Sequence, residues 1–298
     1  MTSHRPIEIP PRQILLATDL SARCDRAQDR AVMLAKEWQA ELVVLHVMEP
    51  SSGELLVDDS RLPSWRRQSD PVTAVYRRLA RDIGEGAPNM RIVVERGNAV
   101  DVVLDTAEKH GCDLIVTGIA RDEFLGRLAL GNTVDQVSRN SRVPILTVRD
   151  RPHAPYRSIL AASDFSVASS HAVSAAARMF PKAACTLFHA YDAPLASRVV
   201  DTALYNAETR SVAEQDARRF LEGVAVPAGW QVHRTVIERG SPATLLRDFA
   251  SHEGTELIVL GSRGNGALFE ILIGSTAREI LDMAPCDTLL VRDPENAA

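Results

Sequence analysis

The chain has 298 residues, 45% hydrophobic, 24% charged and 5% aromatic, with a formal net charge of −5. That composition suits about two globular domains and has no basic excess or set of stacking aromatics for nucleic acid. No apolar run approaches the ~20 residues of a membrane span, and the start, MTSHRPIEIPPRQ, has no signal-like apolar stretch, so a cytoplasmic protein is expected.

In chain order, apolar runs predict strands near 12–18, 41–47, 91–95, 113–117 and 143–149. Helical spacing predicts helices near 21–39, 70–85, 98–110 and 131–140. Runs such as ILLA, LVVLHV and LIVTG are apolar at successive positions, as in strands covered on both faces. Alternation with helices then makes the sheet parallel and the fold α/β. Ser21 and Ser166 stand where helix N-caps belong. The segment 49–69 reads as a long loop, and 191–200 as its shorter, more helical counterpart.

The second half repeats the first. Arg12-QILLAT-Asp19-Leu20-Ser21 matches Arg157-SILAAS-Asp164-Phe165-Ser166 at an offset of 145 residues. His46 matches His189, Glu95-Arg96-Gly97 matches Glu238-Arg239-Gly240, Gly118 matches Gly261, and Val148-Arg149-Asp150 matches Val291-Arg292-Asp293, all at 143. So long a period means tandem domains, 1–150 and 151–298, rather than solenoid units. The boundary falls in Arg151-Pro-His-Ala-Pro-Tyr156, whose prolines predict a stiff, non-helical linker.

The stretch VLGSRGNGALFEILIGSTAREIL combines a strand, a loop with Gly261 and Gly264, and a helix opening on Gly274-Ser275-Thr276. Free N–H groups and the dipole favour anions at a helix start, and glycines let a backbone approach a ligand. Ser275 or Thr276 could cap the helix or bond a phosphate; Arg263 could pair with phosphate oxygens or be solvated. A plain glycine turn before a capped helix remains the alternative. Ligands of open α/β sheets sit at the carboxyl ends of the strands. Asp164 and His189-Ala190 share that edge. Asp164 could accept from an adenine amino group or a sugar hydroxyl, or cap the helix beside Ser166. Backbone groups at Ala190 could read a base edge.

Other features have simpler readings. Cys24, Cys112, Cys185 and Cys286 are scattered, which suits small buried hydrophobes. His46 and His189 lack ligands at metal spacing and read as satisfied polar residues. Gly97 and Gly240 ease the turn into a helix capped by Asn98 and Ser241. The arginines 61, 66, 67, 77, 78 and 81 are interrupted by aspartates and read as a solvated face.

Gly261, Gly264, Gly274 and Ser275, with Asp164 and His189-Ala190, make the second half similar to ATP-binding universal stress protein domains. The repeat extends the resemblance over nearly the whole chain. It implies two tandem flavodoxin-like, Rossmann-like domains. Each would be a five-stranded parallel sheet in order 3-2-1-4-5, paired antiparallel through the fifth strands as an internal pseudo-dimer. It further implies ATP, with Mg2+, held by Ala162, Ser163, Asp164, Ala190, Gly261, Arg263, Gly264, Gly274, Ser275 and Thr276. The first half departs from the motif: Arg121 replaces the second glycine and Asn132 the Ser/Thr, so its site reads as degenerate while its fold survives.

The function so implied is nucleotide-dependent stress signalling, with an adenine nucleotide as ligand and a homodimer or another protein as partner. A slow ATPase or phosphotransferase, or a scaffold with a vestigial site, are the alternatives; no catalytic base is placed by the sequence.

Overall fold

A computed structural model describes residues 10–22, 24–48, 71–121, 128–129, 132–191, 202–262 and 273–292, apart from 85–88. The predicted loop 49–69, most of 191–200, and Arg263 and Gly264 lie outside the described residues. The first half runs β1 (Gln13–Thr18), α1 (Cys24–Trp38), β2 (Glu41–Met48), α2 (Pro71–Ile83), β3 (Met90–Arg96), α3 (Ala99–Lys109) and β4 (Leu114–Gly118). It continues with a short ribbon, β5 (Ala120–Arg121) and β6 (Leu128–Ala129), then α4 (Asn132–Asn140) and β7 (Ile145–Val148). The second half runs β8 (Ser158–Ala162), α5 (Val167–Met179), β9 (Ala184–Tyr191), α6 (Thr202–Gly223), β10 (Arg234–Arg239), α7 (Pro242–Glu253), β11 (Leu257–Gly261), α8 (Ser275–Met283) and β12 (Asp287–Val291).

The five strands of each half join edge to edge into one ten-stranded sheet, in order β10-β9-β8-β11-β12-β7-β4-β1-β2-β3. Pairing is parallel within each half and antiparallel only at the seam, where Thr288 faces Thr147, Leu289 faces Leu146 and Leu290 faces Ile145. An apolar strand left at an edge would expose unpaired backbone and recruit other chains, and the seam removes two such edges. The β5–β6 ribbon, antiparallel and separate from the sheet, is not anticipated by the sequence pattern.

Both sheet faces are covered, which is why the strands are apolar at consecutive positions. Ile14 and Leu16 join a core with Leu34 of α1, Leu79 of α2, Val173 of α5 and Ala213 of α6, spanning both halves. Leu15, between them, points the other way, to a core with Val103 of α3 and Val137 of α4. In the second half, Leu160 likewise packs with Leu246 of α7 and Ile280 of α8. One face therefore has a continuous core through the seam, and the opposite face has a separate core in each half.

The linker is not a free spacer. Tyr156 is 5% exposed, meets Phe180 edge-on at 5.2 Å, and has the Arg30 guanidinium 3.8 Å above its ring. Its hydroxyl donates at 2.5 Å to Asp287, a fully buried carboxylate at the start of β12. The same carboxylate accepts the backbone N–H groups of Arg149 at 2.7 Å and Asp150 at 3.0 Å, and lies 3.5 Å from Arg30. Asp287 thus ties α1, the end of β7, the linker and β12 together.

Candidate functional site

The edge formed by the carboxyl ends of β8, β9 and β11 carries most of the predicted residues. Val259 pairs with Ala161 and Ala162 with Phe188, which puts Gly261, Ser163 and His189 at one level of the sheet and Ala190 one residue beyond it. Past Ala162 the chain turns sharply. Ser163 Oγ accepts from Phe165 N–H at 3.0 Å, and Asp164 Oδ1 accepts from Ser166 N–H at 3.1 Å and from the Ser169 hydroxyl at 3.2 Å. Ser166 then caps α5, its hydroxyl accepting from Ser169 N–H at 3.2 Å. Phe165 has φ +62°, a left-handed conformation that costs a non-glycine residue about 1 kcal/mol or more.

The first half builds the same turn. Thr18 Oγ1 accepts from Leu20 N–H at 3.1 Å, Asp19 Oδ1 from Ser21 N–H at 2.8 Å, and Leu20 has φ +62°. The histidines also correspond: His46 Nδ1 lies 2.9 Å from Thr18 O, and His189 Nδ1 lies 2.8 Å from Ser163 O. Each imidazole braces the end of the first strand against the second, the satisfied role expected of it. Ser21 differs from Ser166. It lies three positions before α1, and its buried hydroxyl has no partner among the described residues.

Structural work accounts for several glycines. A Cβ on Gly261 would lie 2.7 Å from the backbone carbonyl of Ala168, so the first turn of α5 requires this glycine whether or not a ligand comes near. Gly261→Ala is expected to destabilise the protein by about 1–3 kcal/mol, read as a shifted denaturant midpoint. An unchanged midpoint would mean α5 yields freely. Gly97 and Gly240 have φ +153° and +142° at the turn into the third helix of each half. Asn98 caps α3 by accepting from Val100 N–H and Asp101 N–H, whereas Ser241 stands at the N-cap of α7 without a side-chain bond, Pro242 following it.

At α8 the predicted hydroxyl caps are not used. Gly274 is the N-cap residue and no side chain caps the helix, while Ser275 and Thr276 are exposed in its first turn. Gly274 N–H bonds Ser262 O at 3.0 Å, and Ser262 N–H bonds Val291 O at 2.9 Å. These two bonds hold the start of α8 against the end of β11, next to β12. First-turn N–H groups of α8 and the positive end of its dipole remain available to an anion there. At the matching place in the first half, Arg121 is in β5, paired with Leu128 of β6, and the Asn132 side chain accepts from Gln136 at 3.0 Å.

Beside this edge a groove of about 700 Å3 opens between the start of α5 and α6, over the end of β9. Asp164, Phe165, His189, Tyr191, Asp216 and Phe220 are among its lining residues. Phe165 stacks on His189 with ring centroids 4.1 Å apart. Hydrophobic spacing alone does not reveal this groove, since its walls come from segments well apart in sequence, 164–170, 189–191 and 209–223.

No thiol here is poised for chemistry. All four cysteines are free, and burial pushes Cys112, Cys185 and Cys286 up to about 12 and Cys24 up to about 11. Among the described residues no cluster of His, Cys, Asp or Glu could hold a metal ion, and no helix is long and apolar enough to cross a membrane.

A parallel sheet sandwiched by helices, with a helix N-terminus at a strand-order switch, defines a doubly wound α/β protein. The sequence model of the Universal stress protein family matches residues 11–149 and again 155–292, and the chain belongs to that family. A putative universal stress protein of Staphylococcus haemolyticus is 35% identical over 94 residues, covering 31% of this chain and 56% of that relative. The chain thus spans about half the length of that curated relative. Among solved structures, a functionally unknown protein from Pseudomonas aeruginosa PAO1 superposes with a TM-score of 0.69 at 19% identity, covering 96% of this chain and 94% of its own. A universal stress protein from Archaeoglobus fulgidus gives 0.65 at 19% identity over 94% and 98% of the two chains. At such identity these two structures speak for the fold alone.

Proposed function

We propose that the chain is a nucleotide-responsive stress protein that holds ATP in its second half. The phosphates lie against Gly261, Arg263, Gly264 and the α8 N-terminus at Gly274, Ser275 and Thr276, with Mg2+ on their oxygens. The base and sugar lie across Ala162, Ser163, Asp164 and Ala190. The observation that carries this reading is the open start of α8, held at the end of β11 where Gly261 stands level with Ser163. In the second half the α8 start has no side-chain cap and exposes two hydroxyls. In the first half Ala120 and Arg121 pair with Ala129 and Leu128, and Arg121 and Asn132 stand where the second half has Gly264 and Ser275. A fold-building role would be shared by both halves, as the Asp-Ser turn and the histidine brace are.

ATP bound at one end would favour whichever conformation it binds better, and a stress signal would be read as that population. Signalling rather than turnover is the proposed role, since no side chain is assigned as base to an attacking water.

Titration calorimetry of the full chain with ATP–Mg tests the reading. One nucleotide per chain is expected; a flat titration defeats it, and two per chain would assign a site to the first half as well. Asp164→Ala should weaken binding by about 1.5–3 kcal/mol, the range for a hydrogen bond to a charged acceptor. Asp19→Ala should leave affinity within about twofold, because it removes the same turn from the half without a site.

A further inference from the structure

The arginines that follow the two seam strands act in opposite directions across the seam. Arg149, just after β7, donates Nη2 to the carbonyl of Leu281 at 2.6 Å, in the last turn of α8. Arg292, just after β12, donates Nη2 to the carbonyls of Ser138 and, at 2.6 Å, of Arg139, in the last turn of α4. The last carbonyls of a helix lack intrahelical donors and carry the negative end of its dipole, so a guanidinium suits them. Arg149 is 4% exposed, and this bond runs through dry interior.

Two further contacts join the same helices. Arg278 of α8 lies 3.5 Å from Asp135 of α4, on the oxygen that also accepts from Arg139 Nε at 3.1 Å. The first half's β6 lies beside α8. The first half therefore grips α8 at its C-terminal end and along its side. Its N-terminal end, Gly274-Ser275, is the end assigned above to phosphate. A helix of this length is a stiff rod of about 14 Å, so a displacement at one end reaches the other.

We propose that α8 couples the two halves: nucleotide at its N-terminus is sensed by α4 of the first half through the Arg149, Arg278 and Arg292 contacts. The first half is then the reader of a site that it does not itself possess. This inference rests on the nucleotide reading. Coupling between sites is reciprocal, so loosening the first-half grip must change affinity in the second half.

The test combines ATP–Mg calorimetry with amide hydrogen exchange on the full chain. In the wild type, saturating ATP–Mg should slow exchange at residues 132–140, across the seam from the ligand. Arg149→Ala should lower ATP affinity about fivefold or more and abolish that slowing. Arg149→Lys, which retains a donor for Leu281 O, should restore part of both. Should Arg149→Ala fail to fold, Arg278→Ala decides, since that side chain is 51% exposed and its loss should spare the fold but reduce the slowing. ATP binding with no change at 132–140, or wild-type affinity and slowing in folded Arg149→Ala and Arg278→Ala, overturns the coupling and leaves the nucleotide reading intact. No ATP binding to the wild type overturns both.

Discussion

Asp287→Ala is expected to lower the unfolding free energy by about 3–5 kcal/mol, the range for removing one partner from a buried charge network. Asp287 is fully buried, and its two oxygens serve the N–H groups of Arg149 and Asp150, the Tyr156 hydroxyl and Arg30. Alanine would strand all of these donors in the dry seam. Arg30 retains its bond to Ala154 O at 3.0 Å, but its charge loses its carboxylate. Denaturant unfolding of the two proteins reads the difference; a loss under about 1 kcal/mol would mean that water enters the seam and replaces the carboxylate. Asp287→Asn should be milder than alanine, because its amide oxygen can still accept both backbone N–H groups.

The same residue sets a pH dependence. Burial raises the Asp287 carboxyl above its ordinary value of 3.8, against the lowering effects of its hydrogen bonds and of Arg30. The folded protein thus binds this proton more tightly than the unfolded chain does. Its contribution is present in full below the unfolded value and is lost as pH rises through the folded one. Asparagine at 287 should flatten that part of the stability profile.

Gly264→Arg is the second large effect, here on binding rather than on stability. The change copies Arg121, the first-half residue at the matching place. Under the proposed function a long side chain enters the space of the phosphate chain, and ATP affinity should fall at least about a hundredfold, near 2.7 kcal/mol. Stability should stay close to wild type, because the first half carries arginine at this position within an ordered ribbon. Calorimetry reads the affinity and thermal unfolding the stability. Retained affinity would move the phosphates off this loop; lost stability would make Gly264 a folding residue instead. Paired with Gly261→Ala, which should act through packing against Ala168, the two glycines separate structural from ligand roles within one motif.

Much of this protein is legible in its sequence because the relevant physics is local. Doubly covered strands need consecutive apolar residues, so LLA, VVL and LIV announce a parallel sheet with helices on both sides. Duplication supplies its own alignment, and with it the contrast of Gly264 and Ser275 against Arg121 and Asn132. Caps follow short-range rules, and Asn98 and Ser166 obey them. Ser275 does not: it is the first residue of the helix, and the N-cap position falls on Gly274, whose N–H is held by Ser262.

Long-range packing decides the rest. Gly261 has the look of a ligand glycine, yet the backbone of α5, more than 90 residues earlier, is what excludes a side chain there. The linker prolines suggest a spacer, yet Tyr156 is docked in the core by a carboxylate from β12. Nothing in Val-Arg-Asp reveals that its arginine will cap a helix of the other half, because a helix end exposes carbonyls whose nearest donor is chosen by the seam. Periodicity and turn chemistry thus specify the two α/β units and the place of the glycine loop. The grip of each half on the other's last helix comes only from the antiparallel meeting of β7 and β12, since such contacts depend on how far apart residues lie in space and not along the chain.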